Sequence, residues 1–137
     1  MGDQEMKTGR MGNVATAMLV LCGLVLISGA QKAEKKPILR HVVLFKFKDG
    51  TTPEKTKQIV TAFSKLPSRI DQIIDFEWGT DVSVEKRSQG FTHGFVVSFR
   101  DAAGRDKYLP HPAHQEFVEQ VGPHLENVLV FDYSPSR

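Results

Sequence analysis

The stretch Tyr108-Leu109-Pro110-His111-Pro112-Ala113-His114 sets a phenol and two imidazoles close together and fixes the backbone between them with two prolines. Proline locks its own φ and disfavours the α region for the residue before it. Leu109 and His111 are therefore expected outside the helical region. One helix should stop near Leu109, and another should start with Pro112 at its first position. His111 then stands at the head of the second helix and His114 one turn in. Such a kinked turn aims polar side chains in set directions, as a site requires. A proline-broken surface turn with two solvated histidines is the plainer reading of the same residues.

The elements on either side complete the pattern. Ile38 to Lys48 alternates as a strand, with His41, Val43, Phe45 and Phe47 on one face. Thr52-Pro53 caps and starts a helix, whose stripe is Ile59, Val60, Phe63 and Leu66, and Pro67 ends it. Ile73 to Gly79 is a second strand. Asp81 to Gly90 is a polar hairpin loop, and Phe91 to Phe99 is a third strand with Phe91, His93, Phe95, Val97 and Phe99 on one face. Asp101 caps a short helix reaching Leu109. After the kinked turn, a helix from Pro112 to Val121 is stopped by Gly122-Pro123. Glu126 to Tyr133 is the last strand.

The order β-α-β-β-α-β predicts an α+β, ferredoxin-like plan: a four-stranded antiparallel sheet with the helices on one face. Right-handed crossovers are expected to set the first and third strands side by side and parallel. Val42, Leu44, Ile74, Phe76, Trp78, Val96, Val128 and Val130 are expected on the face away from the helices. An apolar face of that size marks an interface. The expectation is a homodimer closed by sheet-to-sheet packing, with Trp78 in its seam. His41 and His93, read as lying near the same end of the sheet, should meet Tyr108 and His114 over a floor that includes Phe45 and Phe95. An apolar pocket with a few polar groups is the usual form of a small-molecule site.

The N-terminal part is a different kind of sequence. Lys7 and Arg10 precede an apolar run, Val14 to Ile27, followed by Ser28-Gly29-Ala30. This reads as a secretory signal over residues 1–30, with a lysine-rich linker over 31–37 and one domain over 38–137. The expected location is outside the cytoplasm, periplasmic or secreted. An uncleaved membrane anchor through residues 14–30 is the alternative, because Lys32, Lys35 and Lys36 weaken the charge asymmetry. Cys22, the only cysteine, lies in the apolar run, so a mature chain has no disulfide and no thiol nucleophile. A net charge of +2 with no long basic run gives no footprint for nucleic acid.

The stretches His41 to Lys48, Trp78-Gly79 with Asp81-Val82, Gly90 to His93, Tyr108 to His114, and Phe131-Asp132-Tyr133 resemble the stress-responsive α/β-barrel family. The resemblance runs from about Arg40 to Tyr133, with the motifs in order. It implies ferredoxin-like dimers whose sheets close into a barrel. A plant polyketide cyclase of that family pairs a tyrosine with a histidine as acid and base in an aldol cyclisation. The matching positions are Tyr108 and His114. His41 and His93 match histidines lining its pocket, and His111 matches a histidine with a more structural place.

A histidine titrates near neutrality and suits acid–base work. Enolisation beside a carbonyl needs a base at the carbon acid and a donor at the oxygen, roles open to His114 and Tyr108. Neither a metal nor a cofactor is required. A metal held by His111, His114 and either His41 or His93 is the alternative chemistry. Asp101, Asp106 and Glu116 read as caps or solvated charges, and His124 as a loop residue. Two classes stay open: a non-catalytic exported dimer that binds a small apolar or aromatic ligand or acts as a stress-related structural protein, and a cofactor-free lyase or cyclase acting on a β-keto or aromatic compound. An open cleft reaching Tyr108 and His114 favours the second.

Overall fold

Two of the helices begin where the prolines place them. The Thr52 hydroxyl accepts from the Lys55 N–H at 3.2 Å, with Pro53 following it. His111 is extended and its ring caps the helix that opens with Pro112. The computed structural model describes residues 38–136, and the readings of the N-terminal segment and linker lie outside them. The order is β1 (Leu39–Phe47), α1 (Pro53–Ser64), β2 (Ile73–Thr80), β3 (His93–Phe99), α2 (Ala102–Tyr108), α3 (Pro112–Val121) and β4 (Leu125–Tyr133). Short 3-10 turns follow α1 at Leu66–Ser68 and α3 at Gly122–His124.

The strands form one sheet in the order β2-β3-β1-β4. The ferredoxin-like plan holds, but β1 and β3 pair antiparallel rather than parallel. The crossover through α1 makes β1 and β2 run the same way, and the hairpin then reverses β3 between them. The register sets His41 opposite Val97 and Phe45 opposite His93. His41 and His93 thus share a face but stand at opposite ends of it. Their separation along the sheet is about 13 Å at the usual rise per residue.

The helices cover one face. Phe63 of α1 is almost fully buried, with its ring 4.6 Å from Phe95, 4.5 Å from Phe117 and 5.2 Å from Phe76. Offset and tilted rings at this spacing add to simple burial. Ile59, Leu66, Ile70 and Val97 complete the centre of the core.

The expected outer face needs correction. Val42, Leu44 and Val96 do lie there, since Val42 pairs with Val96 and Arg40 with Ser98. Phe76 pairs with Val97, and Trp78 with Phe95, so both lie on the helix side. An irregularity between Ile73 and Asp75 shifts the alternation, allowing Ile73 and Phe76 both to face the core. In β4, Val130 opposes Val43 and Val128 opposes Phe45, so these also face inward. Leu129, Phe131 and Tyr133 take the outer face instead, all substantially exposed. Leu109 is another correction: it stays helical at φ −57°, ψ −46° despite Pro110, and only His111 is extended.

Phe63→Ala should lower stability by about 3–5 kcal/mol, as expected for a buried ring. Thr52→Ala should cost about 1 kcal/mol, as for a lost helix cap. Urea unfolding of the two variants beside the parent checks both.

Candidate functional site

The helices leave the inner face of β4 partly open. Val128 is 47% and Val130 54% exposed although both face inward. A cavity of about 550 Å³ lies there, between β4 and α3. Its walls are largely apolar, with Val43, Phe45, Phe117, Val118, Val128 and Val130 among them. Its polar end holds His41, Tyr108, His114 and Asp132. That size and chemistry are those of a small-molecule pocket.

Each polar group is fixed by a local contact. Asp101 caps α2 by accepting from the Gly104 N–H at 2.9 Å, and the last residue of that helix is Tyr108, fully buried. The Tyr108 ring sits 4.2 Å from the His114 ring and 5.9 Å from the His41 ring. The helical Leu109 aims its carbonyl at the start of α3. His114 Nδ1 lies 2.9 Å from that oxygen, which also accepts from Gln115 Nε2 at 2.6 Å. A carbonyl only accepts, so we assign the His114 proton to Nδ1, leaving the Nε2 lone pair free in the neutral ring.

Burial pushes the His114 pKa below the usual histidine value, and the charges of His41 and His111 add to this; the bond to Leu109 opposes it. His114 is therefore a neutral ring, competent as a base, at neutral pH. Burial pushes the Tyr108 phenol far above its usual value, so it stays protonated and can donate.

His41 is buried on β1. Its Nδ1 is 2.6 Å from Asp132 Oδ1 on the neighbouring strand, and Asp132 Oδ2 is 2.5 Å from Arg105 Nη1 of α2. Burial works against charge on Asp132, but the hydrogen bonds from Arg105 and His41 outweigh it and hold the carboxyl below its ordinary pKa. Neither Arg105 nor Asp132 was among the expected site residues. Asp132 had left a signal, a carboxylate between Phe131 and Tyr133 in an apolar strand, and Arg105 had left none.

The other expected residues divide. Phe45 lines the cavity. Phe95 does not: it is fully buried against Phe45 and Phe63 in the core. His111 is a capping residue whose Nδ1 accepts from the Ala113 N–H at 3.1 Å. His93 stands at the far end of the sheet, 5.3 Å from Phe47 and 6.4 Å from Trp78 between ring centres. There it borders a separate hollow with Trp78, Lys57 and several threonines. So His41, Tyr108 and His114 are brought together and His93 is not, because the antiparallel register carries it away. Among the described residues no three His, Cys, Asp or Glu side chains are grouped to hold a metal ion.

Residues 39–135 match the stress responsive A/B barrel domain. A stress-response A/B barrel domain-containing protein of Arabidopsis thaliana is 40% identical over 75% of this chain and 94% of its own. Olivetolic acid cyclase of Cannabis sativa is 30% identical over 72% of this chain and 98% of the cyclase. Among solved structures, hydroxynitrile lyase from Passiflora edulis superposes with a TM-score of 0.70 at 27% identity, covering 74% of this chain and 95% of the lyase. A dimeric ferredoxin-like protein of unknown function from Thermobifida fusca gives a TM-score of 0.64 at 25% identity, over 74% and 93%.

His114 binds fewer protons folded than unfolded over the interval between its lowered pKa and 6.5. Its contribution to stability is therefore complete above 6.5 and is lost as pH falls through the folded value. The parent should lose more stability than His114→Gln on going from about pH 8 to about pH 5. Urea unfolding at both pH values measures the difference, and equal losses would remove His114 from the linkage.

Proposed function

The chain belongs to the stress-responsive A/B barrel domain family, and from that premise we propose that it is a cofactor-free acid–base enzyme acting on a small apolar or aromatic compound. The observation that carries this is the polar end of the cavity: a neutral His114 with Nε2 free, beside a protonated Tyr108. The apolar walls hold the substrate body. His114 takes a proton from an O–H or a C–H next to a carbonyl, and Tyr108 donates to the oxygen on which charge develops. In cleavage of a cyanohydrin the O–H proton passes to His114 as the C–CN bond breaks, the oxygen becomes the aldehyde carbonyl, and cyanide leaves with the bond pair and takes that proton as hydrogen cyanide. In aldol ring closure the C–H proton passes to His114, the new alkoxide takes one from Tyr108, and His114 returns its proton to Tyr108. The relatives named for a lyase and a cyclase support the same chemistry.

We also propose that the chain works as a homodimer through the outer face of its sheet. Leu129, Phe131 and Tyr133 extend an apolar surface from Val42 and Leu44, and a related solved protein is dimeric. The area is continuous across β1 and β4 and is bordered by Asp75 and Glu77 toward β2. Light scattering should give twice the monomer mass for the domain over residues 38–137, and Phe131→Asp should give the monomer.

An aromatic cyanohydrin, followed by aldehyde absorbance, and a poly-β-keto compound, followed by mass spectrometry, test the activity. Either should be turned over. His114→Gln and Tyr108→Phe should each lower kcat about 10²–10⁴-fold with circular dichroism unchanged. The acidic limb of kcat/KM should fall below pH 6.5, following the lowered pKa of His114. If both compounds are inert yet an aromatic dye is displaced from the parent and not from the variants, the cavity is a binding site without chemistry.

A further inference from the structure

The mechanism above uses one imidazole, and a second one faces the same phenol. His41 is buried and meets the Tyr108 ring edge-on, on a different element from His114. Both histidines and the tyrosine line one end of the cavity. The His41 ring is set by a chain of polar contacts that runs away from the cavity. Nδ1 lies 2.6 Å from Asp132 Oδ1, and Asp132 Oδ2 lies 2.5 Å from Arg105 Nη1. Arg105 Nε in turn lies 2.8 Å from Asp106 Oδ1. The guanidinium is thus held on two sides and cannot swing freely.

A carboxylate accepts and does not donate, so Nδ1 of His41 carries a proton, and in the neutral ring Nε2 then carries a lone pair. A carboxylate gripped on one oxygen by a cation can present the other in only one orientation. We propose that Arg105 is a positioning residue: through Asp132 it fixes the tautomer and orientation of His41, making His41 a second acid–base group at the Tyr108 end of the cavity. This rests on the proposed acid–base function and deepens it. With two imidazoles beside one phenol, the proton that one ring takes from the substrate can pass across the Tyr108 hydroxyl to the other ring, which returns it to the departing or newly formed group, so both rings end the cycle neutral as they began. No net proton is gained or lost over the cycle, and no oxidant or reductant is needed.

The logic is that of a histidine oriented by a buried carboxylate, where losing the carboxylate's charge lets the ring adopt the wrong tautomer. What is particular to this chain is the cation behind the carboxylate. Without Arg105, Asp132 would be a partly buried anion with one partner, free to rotate about its last bond. With it, both oxygens are committed. Arg105 itself lies outside the cavity wall, so its substitution leaves the shape of the cavity intact.

The test reads the ring directly, without substrate. Nitrogen-15 NMR of the imidazoles of the full-length chain at about pH 9, where histidines are neutral, reports which nitrogen holds the proton. The expected result is an Nδ1–H tautomer for His41 in the parent. Arg105→Gln should mix the two tautomers, Arg105→Lys should restore most of the parental signal, and Asp132→Asn should favour Nε2–H. His114 should keep Nδ1–H in all of them. With a turned-over substrate, Asp132→Asn should lower kcat about a hundredfold with little change in KM, and Arg105→Gln by less. An Nε2–H tautomer in the parent, or an unchanged His41 spectrum in a folded Arg105→Gln, overturns the proposal. Should the parent turn over nothing while the spectra behave as expected, the positioning stands and the enzymatic reading falls.

Discussion

Aromatic rings from five elements meet at Phe63, and the rest of the molecule is arranged around that contact. Phe45, Phe76, Phe95 and Phe117 reach it from β1, β2, β3 and α3. Each buried ring brings a large apolar area, and their tilted packing leaves few alternative arrangements. None of these rings comes from β4, the margin of the sheet, whose inner residues Val128 and Val130 stay partly uncovered. The cavity lies along that margin, and Tyr108 and His114 stand at the end where α2 turns into α3.

The turn itself shows how much a few residues can dictate. Pro112 removes a donor that the first turn of α3 does not need, and the ring of His111 supplies an acceptor to the Ala113 N–H. Leu109, kept helical, offers a carbonyl to both His114 and Gln115. That carbonyl decides which nitrogen of His114 is available. A backbone group five and six residues from its partners therefore sets the tautomer of a side chain that lines the cavity.

Much of this was legible in the chain. Helix starts at Pro53 and Pro112, the cap at Asp101 and the order of strands all follow from local rules that depend only on neighbours. The plan of the fold, and the meeting of Tyr108 with His114 on one short segment, follow with them. What failed was non-local. The direction of β3 relative to β1 is set jointly by a crossover and a hairpin, neither of which is a local feature, and it puts His93 at the opposite end from His41. Phe76 and Trp78 were misassigned because one irregularity in β2 flips every later residue, and no residue type announces it. In β4 both faces are apolar, so alternation alone gives no choice between them. Arg105 was missed because an arginine in a short helix is ordinary until its partner across the fold is known.

β4 has a property that follows from its place at the margin of the sheet. Its even-numbered residues, Val128, Val130 and Asp132, look into the cavity, while the odd-numbered Leu129, Phe131 and Tyr133 look out. Adjacent side chains on a pleated strand cannot exchange sides without moving the whole register. Selection acting on what enters the molecule and selection acting on what touches it from outside therefore fall on alternate letters of one nine-residue word. Descendants of this chain can rewrite either text while leaving the other legible.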